Sequence, residues 1–161
     1  SVTITDERKK TMDFSDPYVN AGQILVVGKT LESATTLADL KGKKVGAQIG
    51  TTGAIEIGKV EGVTLATYDE VGLAFEDLAN GRISCVVADS PIAANFAMQT
   101  EKFKDKLKMV GVPFTDEWLG VAVKKVNAVI AEKEIEPAAV KGPCKYYGPA
   151  EIEKIKAALA E

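Results

Sequence analysis

Strand-like and helix-like segments alternate between residues 37 and 111, and this alternation restricts the possible folds more than any other feature of the sequence. Short apolar runs at 44–49, 63–69 and 83–88 predict strands, and each is followed by a segment with the spacing of a helix. Such connections form right-handed βαβ units, which build a mostly parallel sheet with helices on its faces. The predicted fold class is therefore α/β.

Three more strands are predicted around this region. They lie at 23–29, 107–111 and 118–125. Segment 11–22 is rich in turn-forming residues, and Pro17 prevents a regular helix there. Beyond residue 125 the alternation ends, and helices are predicted at 126–136 and 150–161 on either side of a proline-rich loop.

Composition excludes several classes of function. The 161 residues are enough for one ordinary core, and the net charge of −3 argues against nucleic acid as the main partner. The absence of histidine excludes Ser-His-Asp and Cys-His catalysis and removes the commonest metal ligand. We therefore predict neither a metal site nor a cofactor. Cys85 lies in an apolar run and is expected to be a buried core residue, with a disulfide to Cys144 as the open alternative.

Two loops combine polar side chains with the start of a predicted helix. The sequence GTTG at 50–53 follows one strand, and Asp89 follows another. Ligands bind outside the carboxyl ends of the strands in such sheets, and a helix start offers backbone N–H groups and favours an anion. The simpler interpretation is that Thr51 or Thr52 and Asp89 are ordinary N-caps. Arg8 adds a guanidinium that could clamp a carboxylate, although most such arginines are only solvated.

Four strings occur in this order over about residues 1–125, namely TITDERKKTMDFSDPY, LADLKGKKVGAQIGTTG, LANGRISCVVADSP and WLGVAVKK. Together they resemble the polar amino acid-binding proteins of ABC transporters, the solute-binding protein family 3. The resemblance implies a periplasmic-binding-protein-like fold of type II, with two α/β lobes joined by two crossing strands. Residues 1–29 would be a partial first lobe and a hinge strand, and 30–113 the complete second lobe. Residues 114–161 would be the return strand and C-terminal helices packing on the first lobe.

The resemblance also implies roles for individual residues of the first lobe. Arg8 would bind the α-carboxylate of an amino acid, with Thr3 and the backbone of Ser1 beside it. From the second lobe, Thr52 would help to hold the same carboxylate.

The remaining implied ligand contacts also belong to the second lobe. The resemblance implies that Asp89 would bind the α-ammonium, while the residues of the turn themselves suggest that Gly50 and Thr51 would complete the carboxylate cradle. Gln48 stands where the family places a side chain that contacts the side chain of the ligand. The expected ligand is therefore a polar amino acid, with glutamine-like specificity inferred from Gln48.

The sequence departs from the family in three places. Ser84 replaces a usual aspartate, the tail from residue 134 does not clearly resemble the closing string of the family, and the first-lobe segment that normally precedes TITDER is expected to be missing. An incomplete lobe would expose apolar surface, so we expect either a homo-oligomer or a separate first-lobe segment.

The resulting functional expectation is a solute receptor of an ABC importer, acting with an ABC permease in the periplasm or another extracytoplasmic space. No signal peptide is visible in the sequence. The alternatives are the ligand-binding domain of a sensory receptor and an enzyme similar to cyclohexadienyl dehydratase. That enzyme would need a general acid, for which Glu117 and Glu56 are the candidates, although both are expected to be solvated.

Overall fold

The computed structural model describes residues 2–31 and 34–125. The chain divides into two compact units, one comprising Ser1–Val19 with Trp118–Glu161 and the other Asn20–Glu117. The three-part division with limits at residues 29 and 113 stays a prediction. Both helices predicted in the tail, together with Cys144 and Ser1, lie outside the described residues.

The described secondary structure consists of short strands and helices. The strands are β1 (Val2–Thr3), β2 (Met12–Phe14), β3 (Val19–Asn20), β4 (Gln23–Gly28), β5 (Lys44–Gln48), β6 (Thr64–Tyr68), β7 (Cys85–Asp89), β8 (Leu107–Val110), β9 (Trp118–Gly120) and β10 (Ala122–Lys124). The α-helices are α1 (Asp6–Lys9), α2 (Thr52–Gly58), α3 (Val71–Ala79) and α4 (Ser90–Ala94). A 3-10 helix covers Leu37–Leu40, and a π-helix at Asn95–Gln99 follows α4 directly.

The first unit contains short antiparallel pairings. Strand β1 pairs with β9, and β2 pairs with β10. The turn-rich segment 11–22 thus contains two short strands, β2 and β3, that the residue pattern did not predict. The single strand expected at 118–125 is divided at Val121 into β9 and β10. Strands of two or three residues are too short to show the alternation on which such predictions depend.

The second unit is built on a five-stranded sheet in the order β6-β5-β7-β4-β8. Strand β5 is parallel to both β6 and β7, whereas β4 is antiparallel to β7 and to β8. Four of the five strands therefore run in one direction, which confirms the prediction of a mostly parallel sheet. The antiparallel β4 lies inside this sheet, between β7 and β8.

The core of this unit lies on both faces of the sheet. Ile24 and Val26 of β4 belong to the buried group on one face, and Leu25 and Val27 belong to the group on the other. This division follows from the two-residue period of a strand. Helix α3 covers the first face, where Phe75 is fully buried and its ring stacks on another aromatic ring 4.4 Å away. Helix α2 covers the second face.

The two predicted helix starts differ in how they are capped. Thr51 is the N-cap of α2, and its hydroxyl accepts a hydrogen bond from the Ala54 N–H at 3.3 Å, as expected. Asp89 occupies the N-cap position of α4, but its side chain makes no capping hydrogen bond. The predicted N-cap position of Asp89 is therefore confirmed, although its side chain does not form the usual capping bond.

Two segments of the second unit run side by side at its chain ends. The Ala21 N–H donates to the Glu117 carbonyl at 2.8 Å, and the Phe114 N–H donates to the Gln23 carbonyl at 2.9 Å. Gly22 lies between these bonds, and a Cβ there would lie 2.1 Å from the carbonyl oxygen of Thr115. Only glycine fits this close approach.

Over the described ranges 2–31 and 34–125, no helix combines the length and the apolar character needed to cross a membrane.

Candidate functional site

Three polar residues meet at one edge of the five-stranded sheet. Gln48 is the last residue of β5 and Asp89 the last residue of β7, and these parallel neighbours end at the same edge. Strand β4 runs in the opposite direction, so its first residue, Gln23, also lies at this edge. The register places Gln23 directly opposite Asp89. This is the edge at which α/β sheets commonly bind ligands.

A pocket of about 120 Å³ opens at this edge. Its lining residues are Gln23, Gln48, Thr51, Val71, Val87, Ala88, Asp89 and Ile92. Among these described residues, Asp89 alone carries a charge. The pocket therefore combines one carboxylate and a few polar groups with an apolar wall, as small-molecule sites usually do.

Gln23 links several groups of this edge. Its Nε2 atom donates to Asp89 Oδ1 at 2.5 Å and to Thr52 Oγ1 at 3.1 Å. The Thr52 hydroxyl donates in turn to Glu117 Oε2 at 2.6 Å. Gln23 is completely buried, and Glu117 is only 6% exposed, so the expectation of a solvated Glu117 is wrong. Glu56, in contrast, is partly exposed and forms an ion pair with Lys59 at 2.6 Å.

The GTTG turn connects β5 to α2. Gly50 has a φ of +72°, a conformation that glycine adopts without the strain of a side chain. The Thr51 hydroxyl donates to the Gln48 carbonyl at 2.7 Å, while the Thr52 hydroxyl donates to Glu117. A hydroxyl has only one proton. Both threonine protons of this turn are therefore directed at protein acceptors in this structure.

Gln48 has both an intramolecular contact and a place in the pocket wall. Its Nε2 atom donates to the Asp69 carbonyl at 2.9 Å, which orients the amide group. Contact between this amide and the side chain of a ligand stays a prediction.

The first unit contains the two other expected ligand residues that the structure describes. Arg8 lies in α1, and its Nη1 atom donates to the backbone carbonyl of Thr3 at 2.9 Å. Thr3 lies in β1 and is buried. Helix α1 begins because the Thr5 hydroxyl accepts from the Arg8 N–H at 3.2 Å. The loop between β1 and α1 therefore holds the guanidinium beside the strand.

Sequence reasoning missed five of the residues that line the pocket, which are Gln23, Val71, Val87, Ala88 and Ile92. It also missed Thr115, whose hydroxyl donates to Glu117 Oε1 at 2.9 Å. The only local signal is the polar Gln23 at the start of an otherwise apolar strand. The direction of β4, which brings Gln23 to Asp89, leaves no mark in the local pattern.

A family model for the bacterial extracellular solute-binding proteins, family 3, matches residues 1–134. The chain belongs to this family. Family 3 relatives include the L-cystine-binding protein TcyJ of Escherichia coli strain K12, which is 40% identical over 128 residues, covering 78% of this chain and 47% of TcyJ. The glutamine-binding protein GlnH of Bacillus subtilis strain 168 is 36% identical over 136 residues, covering 83% of this chain and 48% of GlnH.

Solved structures of the same fold support the family assignment. An ancestral arginine-binding protein bound to glutamine matches with a TM-score of 0.74 and 39% identity. That match covers 99% of this chain and 65% of the ancestral protein. The periplasmic-binding-protein-like fold is thus confirmed for this family 3 chain, which spans about half the length of the curated relatives it matches.

Proposed function

We propose that this chain binds a polar α-amino acid and belongs to the solute receptor of an ABC importer. The observation that carries the proposal is the position of Asp89 in the wall of a pocket at the carboxyl edge of the sheet. A carboxylate accepts hydrogen bonds and attracts a cation, so it suits an α-ammonium group.

The carboxylate of the ligand would be bound by a different set of groups. Arg8 supplies a planar guanidinium, which matches a carboxylate with two parallel hydrogen bonds. Since the hydroxyl protons of Thr51 and Thr52 are directed at Gln48 and Glu117, the GTTG turn would serve the carboxylate through its backbone. Ser1 and Thr3 remain proposed neighbours of the same group.

The pocket wall favours an uncharged side chain on the ligand. Among the lining residues that the structure describes, Asp89 is the one charge, and the proposal assigns it to the α-ammonium. Gln48 offers an amide, while Val71 and Ile92 offer apolar contact. A side chain with an aliphatic stem and an amide end fits these groups, which supports a glutamine-like ligand.

The partner and the compartment follow from the family. Its description names extracellular proteins, and the relatives GlnH and TcyJ are named for the amino acids that they bind. We propose an ABC permease as the protein partner and an extracytoplasmic location for this chain.

Calorimetric titration of the chain with the twenty amino acids and L-cystine tests the proposal. We expect saturable binding of at least one polar amino acid, strongest for L-glutamine. Asp89→Ala and Arg8→Ala should each weaken binding at least about tenfold, because each removes one partner of a charged pair.

Two substitutions at exposed positions serve as matched controls. Asp105→Ala and Arg82→Ala make the same chemical changes outside the pocket and should leave affinity unchanged within about twofold. Arg8→Lys keeps the charge but loses the planar fork, so it should also weaken binding. Absence of binding to every amino acid, or equal affinity for Asp89→Ala and the unmodified chain, would contradict the proposal.

Binding agrees better than catalysis with the contacts of Glu117. The alternative of a dehydratase needs a general acid, which must hold a proton that it can transfer. Both oxygens of Glu117 instead accept hydroxyl protons, one from Thr52 at 2.6 Å and one from Thr115 at 2.9 Å. In both bonds Glu117 acts as an acceptor, whereas a general acid must donate a proton.

A further inference from the structure

Four residues of the second unit form a closed ring of hydrogen bonds beside the pocket. Gln23 enters the ring twice, since its backbone N–H donates to Thr115 Oγ1 at 2.7 Å and its Nε2 atom donates to Thr52 Oγ1 at 3.1 Å. Each threonine hydroxyl then donates to a different oxygen of Glu117. A fifth bond leaves the ring, from Gln23 Nε2 to Asp89 Oδ1 at 2.5 Å.

With Glu117 as a carboxylate, the chemistry of these groups permits only one direction for the bonds. A carboxylate cannot donate, so Glu117 requires a proton from each hydroxyl. Thr52 has no second proton, and it can therefore only accept from Gln23. The Gln23 amide must turn its NH₂ group toward Thr52, and the second proton of that group then points to Asp89.

The buried carbonyl of Gln23 supports this assignment. Gln23 Oε1 has no hydrogen-bond partner among the described residues, although an unpaired buried acceptor is unfavourable. It lies against α2, where a Cβ on Gly53 would approach it to 2.7 Å. Reversing the amide would place this oxygen at the position 2.5 Å from Asp89 Oδ1, where two acceptors would repel each other. The Gln23 amide therefore leaves its oxygen unpaired in the orientation in which its NH₂ group donates to Asp89.

We propose that Glu117 and Gln23 are positioning residues for the amino acid site. Glu117 determines which atom donates and which accepts in each bond of the ring. The Gln23 NH₂ group is thereby oriented so that it donates to Asp89 Oδ1. Asp89 is thereby held as an acceptor with a fixed orientation toward the α-ammonium of the ligand. This inference rests on the proposed function, and it concerns residues that act on the ligand through Asp89.

The decisive variant is Glu117→Gln. Glutamine at position 117 offers one acceptor oxygen and one NH₂ donor, where glutamate offers two acceptor oxygens. Either Thr52 or Thr115 would then face the NH₂ group, and the proton of that hydroxyl would have no acceptor. Alternatively Thr52 would turn its proton to Gln23, which would reverse the amide and repel Asp89. Glu56→Gln is the matched control, since it makes the same chemical change at a partly exposed ion pair on α2.

The first measurement needs no ligand. In NMR spectra of the full chain, the Gln23 side-chain NH₂ protons should exchange slowly with water, because both are hydrogen-bonded inside a buried residue. Glu117→Gln should shift these signals and accelerate their exchange at least about tenfold, whereas Glu56→Gln should not. Unchanged Gln23 signals in Glu117→Gln would overturn the inference.

The second measurement is calorimetric titration with L-glutamine, L-arginine and L-cystine as probes. Glu117→Gln should weaken binding about tenfold or more, which is the effect expected from one unpaired buried polar group. Thr115→Val and Thr115→Ser provide a second comparison if Glu117→Gln does not fold. Valine removes the hydroxyl and serine keeps it, so the valine variant should bind about tenfold more weakly than the serine variant.

The outcomes separate this inference from the proposed function. If the unmodified chain binds a probe and Glu117→Gln binds it equally well, the positioning role is wrong while the proposed function stands. If the unmodified chain binds none of the twenty amino acids and no L-cystine, the proposed function fails, and the positioning role fails with it. Weaker binding together with altered Gln23 signals would support both.

Discussion

Replacing Gly22 by alanine should destabilise the second unit strongly. The added Cβ would lie 2.1 Å from the Thr115 carbonyl oxygen and 3.1 Å from Pro113 Cβ. Carbon and oxygen need a separation of about 3 Å or more, so the two chain segments would have to move apart by about 1 Å. Neither contact atom is the end of a flexible side chain, and local rotation of a side chain therefore cannot relieve the clash.

The expected magnitude follows from the bonds on either side of Gly22. The bonds from Ala21 N–H to Glu117 and from Phe114 N–H to Gln23 measure 2.8 and 2.9 Å, and a separation of about 1 Å would break both. Each is worth about 0.5–1.5 kcal/mol, and the overpacking itself costs about 1–3 kcal/mol. We expect the free energy of unfolding to fall by about 2–6 kcal/mol.

Gly58→Ala is the matched control and should have the opposite sign. Gly58 is the last residue of α2, and a Cβ there would meet no atom within 4 Å. Alanine at an unstrained position restricts the unfolded chain and should stabilise by about 0.4–1 kcal/mol. Urea unfolding followed by far-UV circular dichroism measures both changes. A Gly22→Ala variant within about 0.5 kcal/mol of the unmodified chain would refute the reasoning.

Three further predictions concern the same unit. Phe75→Ala should lower the free energy of unfolding by about 3–5 kcal/mol in urea titrations, because the ring is fully buried, and a loss below about 1 kcal/mol would contradict this. The Arg82 guanidinium, 2.8 Å from Asp77, lowers the pKa of the Asp77 carboxyl. The ionised Asp77 therefore stabilises the folded state above the unfolded-state pKa, and this stabilisation is lost as the pH falls through the lower folded-state pKa. Asp77→Asn should therefore be less stable than the unmodified chain at pH 6 but not at pH 2, as measured by thermal unfolding at each pH. Burial raises the pKa of the Cys85 thiol to about 12. In a Cys144→Ser variant, Cys85 should therefore react with a thiol reagent at pH 8 only after denaturation. Rapid labelling of the folded protein would disprove this.

Local signals predicted the helices and strands of the second unit well. Helix α3 follows from apolar residues at helical spacing, and α2 begins directly after Thr51 because the Thr51 side chain can cap the helix. Strands β5, β6 and β7 are apolar runs bounded by turns. The short elements α1, β2 and β3 were missed because they contain only two to four residues, and tertiary pairing rather than local preference stabilises them.

The sequence by itself determined the α/β class, the two loops with polar side chains and, through resemblance, the family and a set of proposed ligand residues. The tertiary structure decided which of these residues have partners inside the second unit. Gln23 bonds to Asp89 across 66 positions of the chain, and Thr52 bonds to Glu117 across 65. The first contact depends on β4 running antiparallel beside β7, and strand direction is a property of how the sheet assembles, not of any local run of residues.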